Sequence, residues 1–261
     1  MSENPAPDRM RVLQSFKRSL NGYHENAIVQ AEIAKSLIDY FLATSQRERY
    51  SHAFEFGCAT GHLSEQLISR LEIGSFTAND LIEESHHFIA SKLNQAACNW
   101  RFIAGAIEEL DLPDNLDLIA SSSTMQWISN TPALLEKLTR SLAPDGWLAL
   151  SSFQDNHFAE LQMMGSRAKA PSYTNGEDWP SLVPQNLTIK HIHTEEKKIH
   201  FPTVRAMLSH LRQTGVNGNA GQQWGHQKLR EFESEYQARF SDERGIYLTY
   251  APVYIITQRQ P

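Results

Sequence analysis

The chain has 261 residues, 41% of them apolar, 10% aromatic and 21% charged. That is long for one ordinary domain and short for two, with enough apolar mass for a real core, so it reads as one decorated domain and excludes wholesale disorder. Lys and Arg number 24 against 30 Asp and Glu, a formal charge of −6, which argues against a general binder of nucleic acid or of anionic membranes.

Two cysteines, Cys58 and Cys98, cannot build a disulfide framework, and no C-x-x-C pair offers a zinc site. The opening residues lack a basic segment followed by an apolar stretch, and no run of about 18 apolar residues occurs. The expectation is a cytoplasmic protein without metal, membrane span or internal repeat.

In chain order, Ile28, Ala31, Ala34, Leu37, Ile38 and Phe41 recur at helical spacing, so one stripe of a first helix should face a core. Ser45 to Ser51 reads as a polar linker. Ala53–Phe56 is a short strand, followed by Gly57-Cys-Ala-Thr-Gly61 and a helix from near His62. Ser75–Ala78 is a second strand ending in Asn79-Asp80, with a helix over about 83–93. Trp100–Ala104 and Leu116–Ala120 follow as strands, then a helix from Pro132 to Leu142. After a Pro144-Asp-Gly146 turn, Trp147–Ser151 is a fifth strand. Strands alternating with helices imply parallel pairing in a doubly wound sheet.

Beyond Ser152 the pattern loosens. Helices are expected over 158–168, 203–214 and along the stripe Leu229, Phe232, Tyr236, Phe240. A strand pair is expected over 187–200, loops over 170–185 and 215–225, and closing strands at 246–250 and 253–257. The expected organisation is one domain: lid helices over 10–45, a ligand-binding core over 53–152, a substrate-side insertion over 153–245 and a closing strand over 246–258.

The sharpest chemical signal is Glu55-Phe-Gly57-Cys-Ala-Thr-Gly61 between a strand and a helix, where glycines permit a tight turn and close approach to a ligand. Asp80 ends the second strand, where a carboxylate can accept both hydroxyls of a ribose. This combination resembles the class I S-adenosylmethionine-dependent methyltransferases, with Ala59 in place of a middle glycine. Gly105-Ala-Ile-Glu, Leu116-Asp-Leu-Ile and Leu142-Ala-Pro-Asp-Gly146 resemble that family's later motifs in order.

The resemblance implies a Rossmann-like α/β fold. Its sheet would be seven-stranded and mostly parallel, with a helical lid inserted between strands five and six. It implies S-adenosylmethionine as cofactor, S-adenosylhomocysteine as product, and a binding set of Gln30, Gly57, Cys58, Ala59, Gly61, Asp80, Leu81, Ala106, Ile107 and Ser122. Ala106 stands where the family usually has Asp, so backbone must serve the adenine amino group.

The flanks narrow the family. Phe16-Lys-Arg-Ser-Leu-Asn-Gly-Tyr23 with Gln30, Met125-Gln-Trp127, Leu208-Ser-His-Leu-Arg-Gln-Thr-Gly215 and Tyr247-Leu-Thr-Tyr250 resemble segments of the malonyl-acyl-carrier-protein O-methyltransferases of biotin synthesis. The loop Phe153–His157 departs from their glycine-rich version. The resemblance implies Tyr23 near the transferring methyl, as catalytic and substrate-contacting residue, and a malonyl thioester on acyl carrier protein, or on coenzyme A, as substrate; Trp127 would cap the adenosine or wall the acyl channel.

A carboxylate is already ionised at pH 7 and needs positioning and desolvation rather than a base. An anionic malonyl group needs a cation, and Arg212 is the expected clamp, on one helix face with Arg205. Arg205, Lys228 and Arg230 would form a docking patch for an acidic carrier. His86-His87 and His191-x-His193 lack metal-ligand companions and read as surface or packing residues. Two alternatives stay open: another carboxyl, O- or C-methyltransferase acting on a small molecule, and an inactive cofactor-binding regulatory subunit.

Overall fold

The computed structural model describes residues 14, 17, 20, 22–24, 26–166, 170–214 and 225–261. Phe16, Arg18, Ser19 and Asn21 of the lid motif, the end of the helix expected over 158–168, and the loop expected from 215 up to residue 224 lie outside the described residues.

Residues 22–24 are helical, and α1 follows over Ile28–Ser45. Its buried stripe is Val29, Gln30, Ile33, Ala34, Leu37, Ile38 and Phe41. The expected stripe is therefore corrected at its start: Ile28 is 63% exposed, because the neighbouring Val29 and Gln30 take the inward face. The helix ends at Gln46, whose φ of 51° reverses the chain.

The core then alternates as expected. The strand β1 spans Arg49–Phe56, α2 His62–Arg70, β2 Glu72–Asp80, α3 Ser85–Leu93, β3 Asn99–Ala104 and β4 Leu116–Ser121. Strand β1 starts inside the expected linker because Arg49 and Tyr50 already pair with Glu72 and Ile73. A short 3-10 turn over Met125–Trp127 precedes α4 (Thr131–Ser141), where the Asn130 side chain accepts from the Ala133 amide at 3.1 Å and Pro132 fills the first turn.

Strand β5 runs Leu142–Phe153. The predicted Pro144–Gly146 turn is an irregularity inside it: pairing with β4 shifts register between Leu116 and Leu118 as Asp145 adopts φ 60°. Two short helices follow, α5 (Ala159–Met163) and α6 (Trp179–Leu182), the latter within an expected loop.

The main sheet has seven strands in the order β3-β2-β1-β4-β5-β10-β6, with β6 over Leu187–Thr194 and β10 over Pro252–Arg259. Pairs from β3 to β5 are parallel, and β10 runs antiparallel to both β5 and β6. Alternate residues feed the two faces. Ala53, Leu118, Trp147 and Tyr254 pack with α1, α2 and α3, while Phe54, Ile119, Leu148 and Val253 pack with α4 and Trp179.

The larger part of the insertion comes after β6 rather than before it. It comprises β7 (Lys197–Phe201), α7 (Val204–Gln213), α8 (His226–Arg239), β8 (Ser241–Asp242) and β9 (Gly245–Tyr250), with β7, β9 and β8 forming a second, antiparallel sheet. The 187–200 strand pair therefore does not pair with itself. Thr194 pairs with Val253 in one sheet and Lys197 with Tyr250 in the other, in continuous register. One long ribbon thus bends at Glu195-Glu196 and Ala251, and the closing strands expected at 246–250 and 253–257 fall in two different sheets.

Candidate active site

The carboxyl ends of β1, β2 and β4 open onto a cavity of about 380 Å³, the crevice where open α/β sheets bind ligands. Its floor is the strand-to-helix turn after β1. Gly57, Ala59 and Gly61 all have positive φ (68°, 45° and 87°), and the Cys58 amide donates to the Asn79 carbonyl at 3.0 Å. Gly57 has a steric reason as well: a Cβ there would stand 2.1 Å from Thr124 Oγ1. Gly61 precedes α2 and is not in the cavity wall. Its missing side chain lets α2 meet α3, since a Cβ would reach Ile89 and Lys92 at 3.0 Å.

Asp80 organises the opposite wall. One carboxylate oxygen accepts from the Ala59 amide and the other from the Ile82 amide, each at 2.8 Å. Burial raises its pKa, and those two amides oppose the shift. Asp80 lines the cavity, where a carboxylate suits a vicinal diol. Beside it, Asn79 donates to the Ile103 and Gly105 carbonyls at 2.8 and 2.9 Å, fixing the loop that carries Ala106 and Ile107. From behind, Lys137 of α4 donates to the Ile107 and Glu108 carbonyls at 3.0 and 3.1 Å.

Glu55 lies beneath the turn, 1% exposed. Ser64 donates to one of its oxygens at 2.5 Å, and the other has no partner. Burial, with the nearby Asp80 charge, pushes its pKa up to about 8 against the Ser64 bond. Burial, then Asp80 and Glu55, likewise push the Cys58 thiol well up, so it is no nucleophile.

Of the residues expected at the site, Tyr23, Gln30, Gly57, Cys58, Ala59, Asp80, Leu81, Ala106, Ile107, Ser122 and Trp127 line this one cavity. Burial and the Asp80 charge raise the Tyr23 phenol, so it stays protonated and can donate but not act as a base. Gln30 is buried with its Oε1 unpartnered. Arg212 is exposed on α7 and is not in the cavity wall, because Val204, Met207 and Leu211 occupy that helix's inward face. Arg205 is bound to Glu233 of α8 at 2.6 Å, so its charge is already matched within the chain.

Sequence reading missed several cavity residues. His62 follows Gly61 directly, and Ser123 and Thr124 follow Ser122 at the carboxyl end of β4, so adjacency was an available signal. Nothing in the sequence pointed to His24, whose ring stacks on that of His62 at 4.3 Å between centroids and 9° between planes. His86 packs near Trp100 and Phe102, and His191 and His193 against Tyr40. Among the described residues no group of three His, Cys, Asp or Glu could hold a metal, and no helix is long and apolar enough to cross a membrane.

The wall chemistry fits an S-adenosylmethionine-type ligand. A buried carboxylate (Asp80), apolar side chains (Ile82, Ile107) and unpartnered acceptors (Glu55, Gln30) in one cavity suit a ribose, a base and an ammonium in kind. Comparison with known proteins agrees. Residues 53–146 match the family model described as methyltransferase domain. The fold superposes on YcgJ from Bacillus subtilis with a TM-score of 0.63 at 14% identity, covering 87% of this chain and 99% of that one. It also superposes on the N-methyltransferase NodS from Bradyrhizobium japonicum, solved in complex with S-adenosyl-L-homocysteine, with a TM-score of 0.55 at 14% identity, over 96% and 100%.

The chain is a Rossmann-like, S-adenosylmethionine-dependent methyltransferase. Two relatives narrow the class, both called malonyl-[acyl-carrier protein] O-methyltransferase. The one from Chlorobium phaeovibrioides is 32% identical over 97% of both chains, and the one from Acinetobacter baylyi is 34% identical over 95% of this chain and 96% of that one. The chain belongs to the malonyl-[acyl-carrier protein] O-methyltransferase family.

Proposed function

We propose that this protein methylates the free carboxylate of a malonyl thioester carried by acyl carrier protein, giving the methyl ester that primes pimeloyl synthesis for biotin. The observation that carries this reading is the full-length likeness to relatives named for that reaction. S-adenosylmethionine supplies an electrophilic methyl on a sulfonium. A carboxylate oxygen takes that methyl as the carbon–sulfur bond breaks, leaving the electron pair on sulfur and the neutral thioether as product.

No proton moves in this step, and the cavity suits that: its phenol is held protonated and its thiol is inert. The protein's contribution is placement and exclusion of water. We assign the ribose to Asp80, the base to Ala106 and Ile107, the turn to Gly57, Cys58, Ala59 and Gly61, and the flanking walls to Leu81 and Ser122. Gln30 would hold the methionine portion, and Tyr23 and Trp127 would flank the acceptor carboxylate. Arg212 remains our candidate for the substrate's charge at the outer mouth, a role that needs the α7 end to approach the cavity when substrate binds. Masking the carboxylate would let chain-elongating enzymes accept the acyl group, and we place the reaction in the cytoplasm.

Mass spectrometry of malonyl-acyl carrier protein incubated with enzyme and S-adenosylmethionine tests the reading, with acetyl-acyl carrier protein and malonyl-coenzyme A alongside. One added methyl on the malonyl species alone supports it; transfer to coenzyme A alone moves the carrier. No transfer to either overturns the substrate. Arg212→Ala should then raise KM for the malonyl carrier with cofactor affinity unchanged, and unaltered KM removes Arg212 from the site.

A further inference from the structure

Four buried polar atoms in the cavity wall have no partner among the described residues: Glu55 Oε1, Gln30 Oε1, His62 Nε2 and Ser123 Oγ. Unpaired buried polar atoms are costly unless a ligand or water meets them. The first two come from residues whose relation to the cofactor was already read from the sequence. His62 belongs to no motif and no expected set.

Its protonation pattern follows from its surroundings. The main-chain carbonyl of His24 accepts a hydrogen bond from the His62 ring. Because Nε2 is unpartnered, that bond uses Nδ1–H, which leaves Nε2 as a bare acceptor. Burial keeps the ring neutral, with neighbouring His24 and Lys92 on α3 acting the same way and Glu65 on α2 opposing them. The His24 ring lies flat on it, and His24 Nδ1 meets Thr60 Oγ1 at 3.2 Å, so a residue of the lid side fixes both ring and tautomer.

We propose that His62, held by His24, is a ligand-binding residue whose Nε2 accepts a hydrogen bond from the α-ammonium group of the cofactor. Glu55, Gln30 and His62 each bring an unpartnered acceptor to this one cavity, where an ammonium has N–H donors to offer, and the contact makes recognition of the amino-acid end depend on His24 being in place. The proposal rests on the cofactor placement above.

The test compares S-adenosylhomocysteine with 5′-methylthioadenosine, which keeps the nucleoside and lacks the amino-acid end, by calorimetry on the full chain. His62→Phe keeps a stacking ring and removes the acceptor. It should weaken S-adenosylhomocysteine roughly ten- to a hundredfold, the range for a hydrogen bond to a charged group, and leave methylthioadenosine within about twofold. His62→Gln, which can return an acceptor, should recover part of the loss. Unchanged homocysteine affinity in His62→Phe, or equal losses for both ligands, overturns the proposal. Wild-type protein that binds neither ligand overturns the cofactor placement itself.

Discussion

The Ser64 hydroxyl, in the first turn of α2, donates to Glu55 at the end of β1 across 2.5 Å, while the second Glu55 oxygen has no partner and lines the cavity. One carboxyl therefore serves as both the brace between strand and helix and the acidic wall of the ligand site.

This has a proton consequence. With its pKa pushed up to about 8 from 4.5, Glu55 is mostly neutral at pH 7 in the empty site. A cation bound beside it favours the ionised form, so binding S-adenosylhomocysteine at pH 7 should release close to one proton. Calorimetry in buffers of differing ionisation enthalpy reads that number. Zero release would assign Glu55 a purely structural part.

The same shift sets a stability trend. The folded state holds the Glu55 proton more tightly than the unfolded one, so stability is fully present below about 4.5 and falls as pH rises through 8. Glu55→Gln should remove that loss, raising Tm relative to wild type at pH 8 to 9 while weakening ligand binding. Parallel Tm-versus-pH curves for the two proteins would contradict this.

Asp80→Ala removes the acceptor for two amides at once, those of Ala59 and Ile82. Each buried amide left unpaired costs about 1–3 kcal/mol. Because the ribose is shared, affinity for S-adenosylhomocysteine and for methylthioadenosine should fall together by at least about tenfold, unlike the selective loss expected at His62. Denaturant melts and calorimetry on one variant check both halves.

Gly57 is bound by two constraints that can be separated. Gly57→Ala meets Thr124 at 2.1 Å and adopts a φ of 68°. The single variant should lose about 2 kcal/mol or more, through clash and left-handed backbone together. Adding Thr124→Gly should return the steric part and leave about 1 kcal/mol. Full recovery in the double variant would show that the backbone conformation is not strained.

Lys137 donates to the main-chain carbonyls of Ile107 and Glu108. Lys137→Met should loosen that loop and raise KM for S-adenosylmethionine several-fold, with the KM for the malonyl carrier unchanged. Arginine at the same position should restore part of the effect. A rise in carrier KM instead would place the Lys137 contribution at the substrate.

Much of the core was legible because local signals coincide there. The turn Gly57–Gly61 needs positive φ at three places, Asp80 ends a strand beside it, and Pro132 marks a helix start. The second half was less legible. Nothing local says that Thr194 and Lys197 belong to different sheets, since that depends on the bend at Ala251, far away in sequence. Arg212 looked well placed on helical spacing, which reports a face of α7 but not what the face looks at.

By itself the sequence determined the alternation of strands and helices, the glycine turn after β1 and the place of Asp80 at the end of β2, because each depends on residues a few positions apart. Only the tertiary structure decided that Gly57 is demanded by Thr124, that Glu55 is left with a raised pKa and an unpaired oxygen, and that His24 lies on His62. Those facts arise from contacts between segments distant in sequence, His24 with His62 and Gly57 with Thr124, or from burial that no local pattern records.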